Sequence, residues 1–509
     1  MTLTSVNPMN ATVLATLEET TPQELEDALA AAWTAAPVLR AMSAAERGRW
    51  IRAVADALDR RSDELVRLAR SETGLPDARL AGEVVRTTTQ LRFLAEHAET
   101  GQPFEPTIDR SDRSWIPAPR PDLRSLRTGI GVVLVFAASN FPFAFSVAGG
   151  DTASAWAAGC PVIVKTHPGH PLLSEAVADT VRATLIAQGV PPGAFAAVRG
   201  FDVGRTALND SRVSAGAFTG SVAGGRALAD IASRREDPIP FFAEMGSVNP
   251  VIVTARAGSE RADGIAAGLA DSFLLGTGQF CTKPGLILIP ANSGITERLA
   301  TLIADRPAGV MLNRAIRDRH RTAMRDFLAH GAIGLAATGQ QVPQDDGAFE
   351  PATIALTTAM ALIADPGTIA EEHFGPSTVL VTYESESELE AAIQALPGSL
   401  TGTVHRGSGE DVAGLVAALA ERVGRVVVDD WPTGVAVTWA QFHGGPYPAT
   451  SDARYTSVGT GAISRFLRTT AYQNVPDNAL PRWLRNANPD QILRRVDGLL
   501  TNEPIDERT

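Results

Sequence analysis

Gly131-Val-Val-Leu-Val-Phe-Ala-Ala-Ser-Asn-Phe-Pro142 is a continuous apolar run that ends in a small polar turn. A run of this kind, bounded by a turn, reads as a strand buried on both faces. Outward from it the pattern repeats. Val162–Lys165, Ala196–Arg199 and Ala215–Thr219 are further short apolar runs, and Leu173–Gln188 and Val203–Asn209 between them are long enough for helices. Strands alternating with helices imply parallel βαβ units. A second series starts after Pro250, with Val251–Thr254, Leu286–Ile289, Val379–Thr382, Gly402–Val404 and Val426–Val428 separated by helical segments such as Arg261–Leu274 and Ser387–Ala395. The fold class is therefore α/β, with two doubly wound domains in one chain.

The flanks read differently. The segment up to about residue 100 reads as helical, with capping-box patterns at Thr21-Pro-Gln-Glu24 and Ser43-Ala-Ala-Glu46. Gly74-Leu-Pro and the proline-rich Pro117–Pro121 interrupt it, and the Arg-, Pro- and Asn-rich C-terminus reads as an arm followed by short helices.

At 509 residues the chain needs two or three domains, and a formal charge of −12 opposes nucleic acid as a partner. No stretch has the ~18–20 apolar residues of a membrane span, and Met1–Leu17 lacks the basic and apolar regions of a secretory signal. A cytoplasmic protein without a membrane partner is expected. Lys165 and Lys283 are the only lysines among 45 basic residues; a coding bias towards arginine accounts for the scarcity, and against it each retained lysine is a mild hint of a position where arginine would not serve. Cys160 and Cys281 are the only cysteines; they make no disulfide framework and no four-cysteine metal site, and no metal is expected. Cys160, in Gly-Cys-Pro before an apolar run, reads as a small buried thiol.

Cys281 stands in Gly276-Thr-Gly-Gln-Phe-Cys-Thr-Lys-Pro-Gly285, where glycines on both sides let the backbone approach a ligand. The segment alone reads equally as a nucleophile or as a loop cysteine. A nucleophile needs a base, because an ordinary thiol of pKa ~8.5 is a few per cent ionised at neutral pH. Glu244, after Phe241-Phe-Ala, is a candidate with a raised pKa, or else a solvated loop carboxylate. Asn140, just past an apolar strand, could donate to an oxyanion or simply shape a turn. Thr219-Gly-Ser-Val-Ala-Gly-Gly225 offers a phosphate-binding strand-to-helix turn, though not in the usual glycine fingerprint.

Together, Ala138-Ser-Asn-Phe-Pro142, Lys165, Phe218-Thr-Gly-Ser221, Glu244-Met-Gly246, Gly278-Gln-Phe-Cys281 and Glu371-Glu-His-Phe-Gly-Pro376 resemble the motifs of the aldehyde dehydrogenase superfamily, in order and over residues 20–475. Asn140–Thr152, Val164–His170, Phe218–Leu228, His443–Thr450 and Thr456–Gly459 are more narrowly similar to bacterial α-ketoglutaric semialdehyde (2,5-dioxopentanoate) dehydrogenases and to the NADP-dependent long-chain aldehyde dehydrogenase of luminous bacteria.

The resemblance implies Cys281 as the nucleophile that forms a thioester, Glu244 as the base for hydrolysis, and Asn140 with the Cys281 N–H as the oxyanion hole. It implies a cofactor, NADP or NAD, with Lys165 on the adenosine ribose, Gly220 and Ser221 on the pyrophosphate and Gly200 and Gly204 on the adenine side. Phe218 and Gly246 belong to the same cofactor set, with Glu372 on the nicotinamide ribose and Phe374 near the ring. Many relatives read Glu-Leu-Gly-Gly where Glu244-Met-Gly-Ser247 stands, so Ser247 is expected to alter the local turn. NAD-dependent relatives often carry a glutamate where Pro168 stands; without it no carboxylate repels a 2′-phosphate, and Thr166, His167 or Arg226 is expected to contact one.

The domains so implied are a dinucleotide-binding domain (1–107, 129–245 and part of 430–450), a catalytic domain (246–430), and an oligomerisation hairpin and arm (108–128 and 451–509) in a homodimer or homotetramer. The expected reaction oxidises 2,5-dioxopentanoate to 2-oxoglutarate; the alternative is a medium- or long-chain aliphatic or aromatic aldehyde. Phe145, Phe273, Phe280 and Trp439 are candidates for an apolar tunnel, and a keto-acid substrate would want an arginine that the sequence does not single out.

Overall fold

The computed structural model describes residues 2–341 and 347–505. The chain opens with an antiparallel hairpin, β1 (Thr2–Val6) and β2 (Val13–Glu18), before the first helix. That corrects the all-helical reading of the first hundred residues. The hairpin buries only Ser5, so it lacks the apolar alternation that announces a strand.

The helices follow as α1 (Pro22–Ala41), α2 (Ala44–Arg60), α3 (Ser62–Thr73) and α4 (Asp77–Glu99). Both expected capping boxes form, with Glu24 and Glu46 reaching back to the N–H of Thr21 and Ser43. Each cap is worth about 1 kcal/mol.

Next come β3 (Thr107–Asp109), β4 (Leu123–Gly129), β5 (Val132–Phe136), α5 (Gly150–Ala158), β6 (Val162–Lys165), α6 (Pro171–Ala187), β7 (Phe195–Val198), α7 (Phe201–Asn209), β8 (Val213–Thr219), α8 (Val222–Arg234) and β9 (Phe241–Glu244). Five of these strands make a parallel sheet in the order β7-β6-β5-β8-β9. Every residue of β5 is buried. Val133 and Val135 join the core on one face, Val132, Leu134 and Phe136 that on the other. The opening apolar run is thus a central strand with helices on both sides.

A second sheet orders its strands as Gly334–Thr338, Thr353–Thr358, Ser377–Tyr383, Leu286–Pro290, Val251–Val253, Ser399–His405 and Val423–Val428. All pair in parallel except the edge strand Gly334–Thr338. Thr353–Thr358 and Gly334–Thr338 escape sequence reading because threonine, alanine and glycine dilute the apolar signal.

A third sheet joins the middle of the chain to its end: Leu467–Gln473, β4, β3, Arg494–Val496 and Leu499–Thr501. Arg494 is fully buried here and donates to main-chain carbonyls of Arg485, Asn486 and Glu503. No helix among the described residues is long and apolar enough to cross a membrane.

Candidate active site

In a parallel sheet, ligands bind beyond the carboxyl ends of the strands. The register of the first sheet aligns those ends: Lys165 and Phe218 flank Phe136 from either side, and Glu244 pairs with Thr219. Asn140 follows β5, Gly200 follows β7, and Gly220 and Ser221 follow β8.

The second sheet faces this edge with the opposite ends of its strands. Cys281 precedes Leu286–Pro290, and Glu372 and Phe374 precede Ser377–Tyr383. The junction is direct: the Asn140 side-chain amide donates to the carbonyl of Gln279 at 3.1 Å.

The Cys281 loop is clamped from below. Asn249, buried and left-handed at φ +48°, donates its amide to the carbonyls of Cys281 (2.7 Å) and Lys283 (2.9 Å). Ser247 orients it, donating from Oγ to Asn249 Oδ1 at 2.7 Å and accepting from the N–H of Leu400. The serine at the departure from Glu-Leu-Gly-Gly is therefore built into the support of the nucleophile.

Lys283 is buried and donates to the carbonyls of His373, Gly375 and Ser377 at 2.7, 3.2 and 2.7 Å. One ammonium thus ties the cysteine loop to the loop carrying Glu372 and half-buried Phe374. Burial pushes Lys283 down to about 8 and Glu372 up to about 7, each charge resisting the other's shift. Gly278 has φ +67°, and a Cβ there would lie 2.0 Å from the Gly375 carbonyl, so only glycine lets the two loops touch.

A residue singled out by no chemical argument in the sequence completes the centre. The segment after Val423–Val428 returns beside β9, where Met245 N–H donates to the Ala449 carbonyl at 2.7 Å. It delivers His443, whose Nε2 lies 3.5 Å from Cys281 Sγ and 3.0 Å from Glu244 Oε1. Ser457 Oγ donates to the other Glu244 oxygen at 2.6 Å. Ligand atoms of Glu244, Cys281 and His443 all fall within 4.8 Å of one another. Nothing local marks His443 in the sequence beyond its place in His443–Thr450; pairing across 199 residues is visible only in three dimensions.

The electrostatics correct one expectation. Burial acts on Glu244 to raise its pKa, but His443, Ser457 and the Cys281 thiol outweigh it and hold the carboxyl below its ordinary value. The thiol itself is pushed well up, by burial first and then by the Glu244 charge. Cys281 therefore rests protonated beside an ionised carboxylate. It is partly exposed, while Cys160 is fully buried, as expected.

On the opposite flank, Lys165 is mostly enclosed, and burial pulls it down to about 8. No hydrogen bond or ion pair of its ammonium occurs among the described residues. Its stem crosses Gly204, where a Cβ would meet Phe136 and Lys165 itself. Ser221 caps α8 by accepting from Gly224 N–H, and the Phe218 ring lies against Gly220, Gly224 and Gly225. Gly246 is covered by the Glu372 carboxylate. An unpartnered ammonium, a glycine turn at a helix N-terminus and a closely approached backbone fit a dinucleotide.

Two expectations about a 2′-phosphate change. A carboxylate is present after all, brought from afar: Glu19 packs on Gly200, 3.1 Å from where a Cβ would stand, and its charge acts on Lys165. Thr166 spends its hydroxyl on the Val198 carbonyl, and His167 accepts from Gly169 N–H while burial and the nearby His170 and Lys165 hold it neutral. Neither offers a cation; Arg226 stays exposed at the start of α8.

Among the tunnel candidates, Phe145 packs 6.2 Å from the His443 ring, and Phe280 edges onto Phe141. Phe273 is instead a core residue of the second sheet, and Trp439 is half exposed against Phe93 and His97.

Comparison with known proteins bears on these features. The aldehyde dehydrogenase family model matches residues 1–448. An α-ketoglutaric semialdehyde dehydrogenase 2 of Azospirillum brasilense is 41% identical over 485 residues, covering 93% of this chain and 91% of that one. An α-ketoglutaric semialdehyde dehydrogenase of Acinetobacter baylyi is 38% identical, over 95% and 92% of the two chains. The fold matches a solved 1-pyrroline-5-carboxylate dehydrogenase from Thermus with bound NAD at a TM-score of 0.79 and 22% identity, covering 93% of this chain and 90% of that one.

Proposed function

The chain belongs to the aldehyde dehydrogenase family, and from that premise we propose that Cys281 carries the oxidation of 2,5-dioxopentanoate to 2-oxoglutarate. The observation that carries the mechanism is the meeting of Cys281, His443 and Glu244 within 4.8 Å, beside the Asn140 amide. Support for the substrate comes from the two relatives near 40% identity, both matched along nearly their whole length.

Cys281, partly exposed, gives its thiol proton to solvent, while His443 Nε2–H, 3.5 Å from the sulfur, donates to ionised Glu244 Oε1 at 3.0 Å. That N–H faces the sulfur as it becomes a thiolate and holds the Glu244 carboxylate in place beside it. The thiolate adds to the aldehyde carbon. Asn140 has a second amide N–H beyond the one given to Gln279, and that donor and the Cys281 N–H stabilise the alkoxide. When bound, a nicotinamide cofactor supplies the hydride acceptor that the oxidation requires. Cys281 is left holding a thioester. Glu244, held ionised and fixed by Ser457, then takes a proton from the water that cleaves it.

Lys165, Gly200, Gly204, Phe218, Gly220, Ser221, Gly246, Glu372 and Phe374 would hold the cofactor, NAD or NADP. In this reading 1–107, 129–245 and part of 430–450 form the dinucleotide-binding domain, 246–430 the catalytic domain, and 108–128 with 451–509 serve assembly of a homodimer or homotetramer in the cytoplasm. A solution mass of 53.6 kDa, that of one chain, would overturn the assembly.

A second reading rests on Phe141, Phe145 and Phe280, whose rings pack edge to face near the nucleophile. Such a wall also suits an apolar aldehyde. Measuring kcat/KM across 2,5-dioxopentanoate, aliphatic and aromatic aldehydes decides between them, and preference for an uncharged aldehyde refutes the first. In the same assay Glu244→Gln should retain one rapid turnover and lose about 100-fold or more in steady state. Equal loss of both phases would remove Glu244 from the hydrolytic step.

A further inference from the structure

Helix α4 presents two arginines to the aromatic wall. Arg79 and Arg86 lie seven residues apart, two turns along one face. The Arg79 guanidinium sits 4.9 Å above the Phe141 ring and 4.8 Å from that of Phe280, the residue before the nucleophile. That of Arg86 lies 5.7 Å from Phe141 and 5.2 Å from Phe145. The two differ in what they hold. Arg79 donates to the Asn140 carbonyl at 2.6 Å and is thereby part of the oxyanion strand's support.

Arg86 makes no hydrogen bond and no ion pair among the described residues, and its Nη1 is buried without a partner. The acid that acts on it most strongly is Glu83, one turn away. One of its oxygens is committed to the N–H groups of Phe143 and Ala144, at 2.8 and 3.0 Å. Two guanidiniums thus face one carboxylate, and a positive charge is left over. A third arginine, Arg425, also acts on Cys281, but its nitrogens donate to Thr401, Gly434 and Pro432. Arg79 keeps its Nε without a partner, but of the three only Arg86 has no nitrogen engaged in any hydrogen bond among the described residues.

A buried guanidinium without a polar partner is costly unless a ligand completes it. Stacking on aromatic faces leaves its edge N–H groups free for two parallel bonds to a carboxylate. The charge reaches the centre, since it acts on both Cys281 and Glu244.

We infer that Arg86 binds the carboxylate of an ω-oxo-acid substrate whose aldehyde carbon is delivered to Cys281. This rests on the keto-acid reading above and specifies how the site would select it. The aromatic wall then serves the short carbon chain, and Arg86 its charged end.

The test compares kcat/KM for 2,5-dioxopentanoate with that for pentanal, which has the same chain length and no carboxylate. In Arg86→Met the ratio should fall about 100-fold, chiefly through KM for the charged substrate, and Arg86→Lys should recover part of it. A ratio is insensitive to partial misfolding, because the inactive fraction cancels. Retention of the wild-type ratio within about threefold in Arg86→Met would overturn the role of Arg86 while leaving the substrate reading in place. Loss of the ratio in Arg79→Met instead would place the carboxylate on the wrong arginine. A wild-type enzyme that prefers pentanal would refute both.

Discussion

Cys281 must be available to an aldehyde yet quiet when none is bound, and its neighbours impose the quiet state. The same Glu244 charge that later activates water raises the thiol while the site is empty. Thiolate content, and with it reactivity, must then rise with pH over a range higher than usual. Iodoacetamide alkylation of the cofactor-free enzyme should still accelerate at pH 9, and Cys281→Ala should remove the reaction because Cys160 is buried. A plateau below neutral pH would mean a resting thiolate and contradict the assignment. At this scale the nucleophile and base were legible as residue types in suggestive surroundings. The direction of the Glu244 shift was not, because it is decided by His443 and Ser457, residues about two hundred positions away.

Among the elements, the buried strands were the most legible, since β5 and β6 bear side chains that no solvent-facing strand would carry. Elements without an apolar face were missed, and the N-terminal hairpin is the one that matters for the site. It carries the chain to Glu19, beside Gly200 and Lys165. A negative charge there opposes a 2′-phosphate. Glu19→Gln should shift relative affinity several-fold from NAD towards NADP in a fluorescence titration, and an unchanged ratio would dismiss Glu19 as a selector. The two loops tied by Lys283 make a second case. Replacing it with Met removes three buried hydrogen bonds; the Gly375 carbonyl keeps the Ser377 N–H and that of His373 the Ser377 hydroxyl, so the cost is about 1–3 kcal/mol in all. A lowered Tm with weakened cofactor binding is expected. A Tm equal to that of the wild type would show that the loops hold without it.

Over the whole molecule, the site forms where the carboxyl edge of one parallel sheet meets the amino edge of another. Each half supplies what the other lacks: the first contributes Asn140 and Glu244, the second Cys281 and Glu372. Strand order and register say why those ends align, and neither is written in any single motif.

The scarcity of lysine has a practical side. Lys283 is buried under three carbonyls, so Lys165 and the chain's own α-amine are the remaining primary amines. With its pKa drawn down to about 8, Lys165 is a better nucleophile near neutral pH than an ordinary lysine. Mild acetylation read by peptide mass spectrometry should modify Lys165 and spare Lys283, with protection at Lys165 when a dinucleotide is present. At the lysine side chains, amine-coupling reagents, which usually decorate a protein's exterior at random, would then report occupancy of a single pocket.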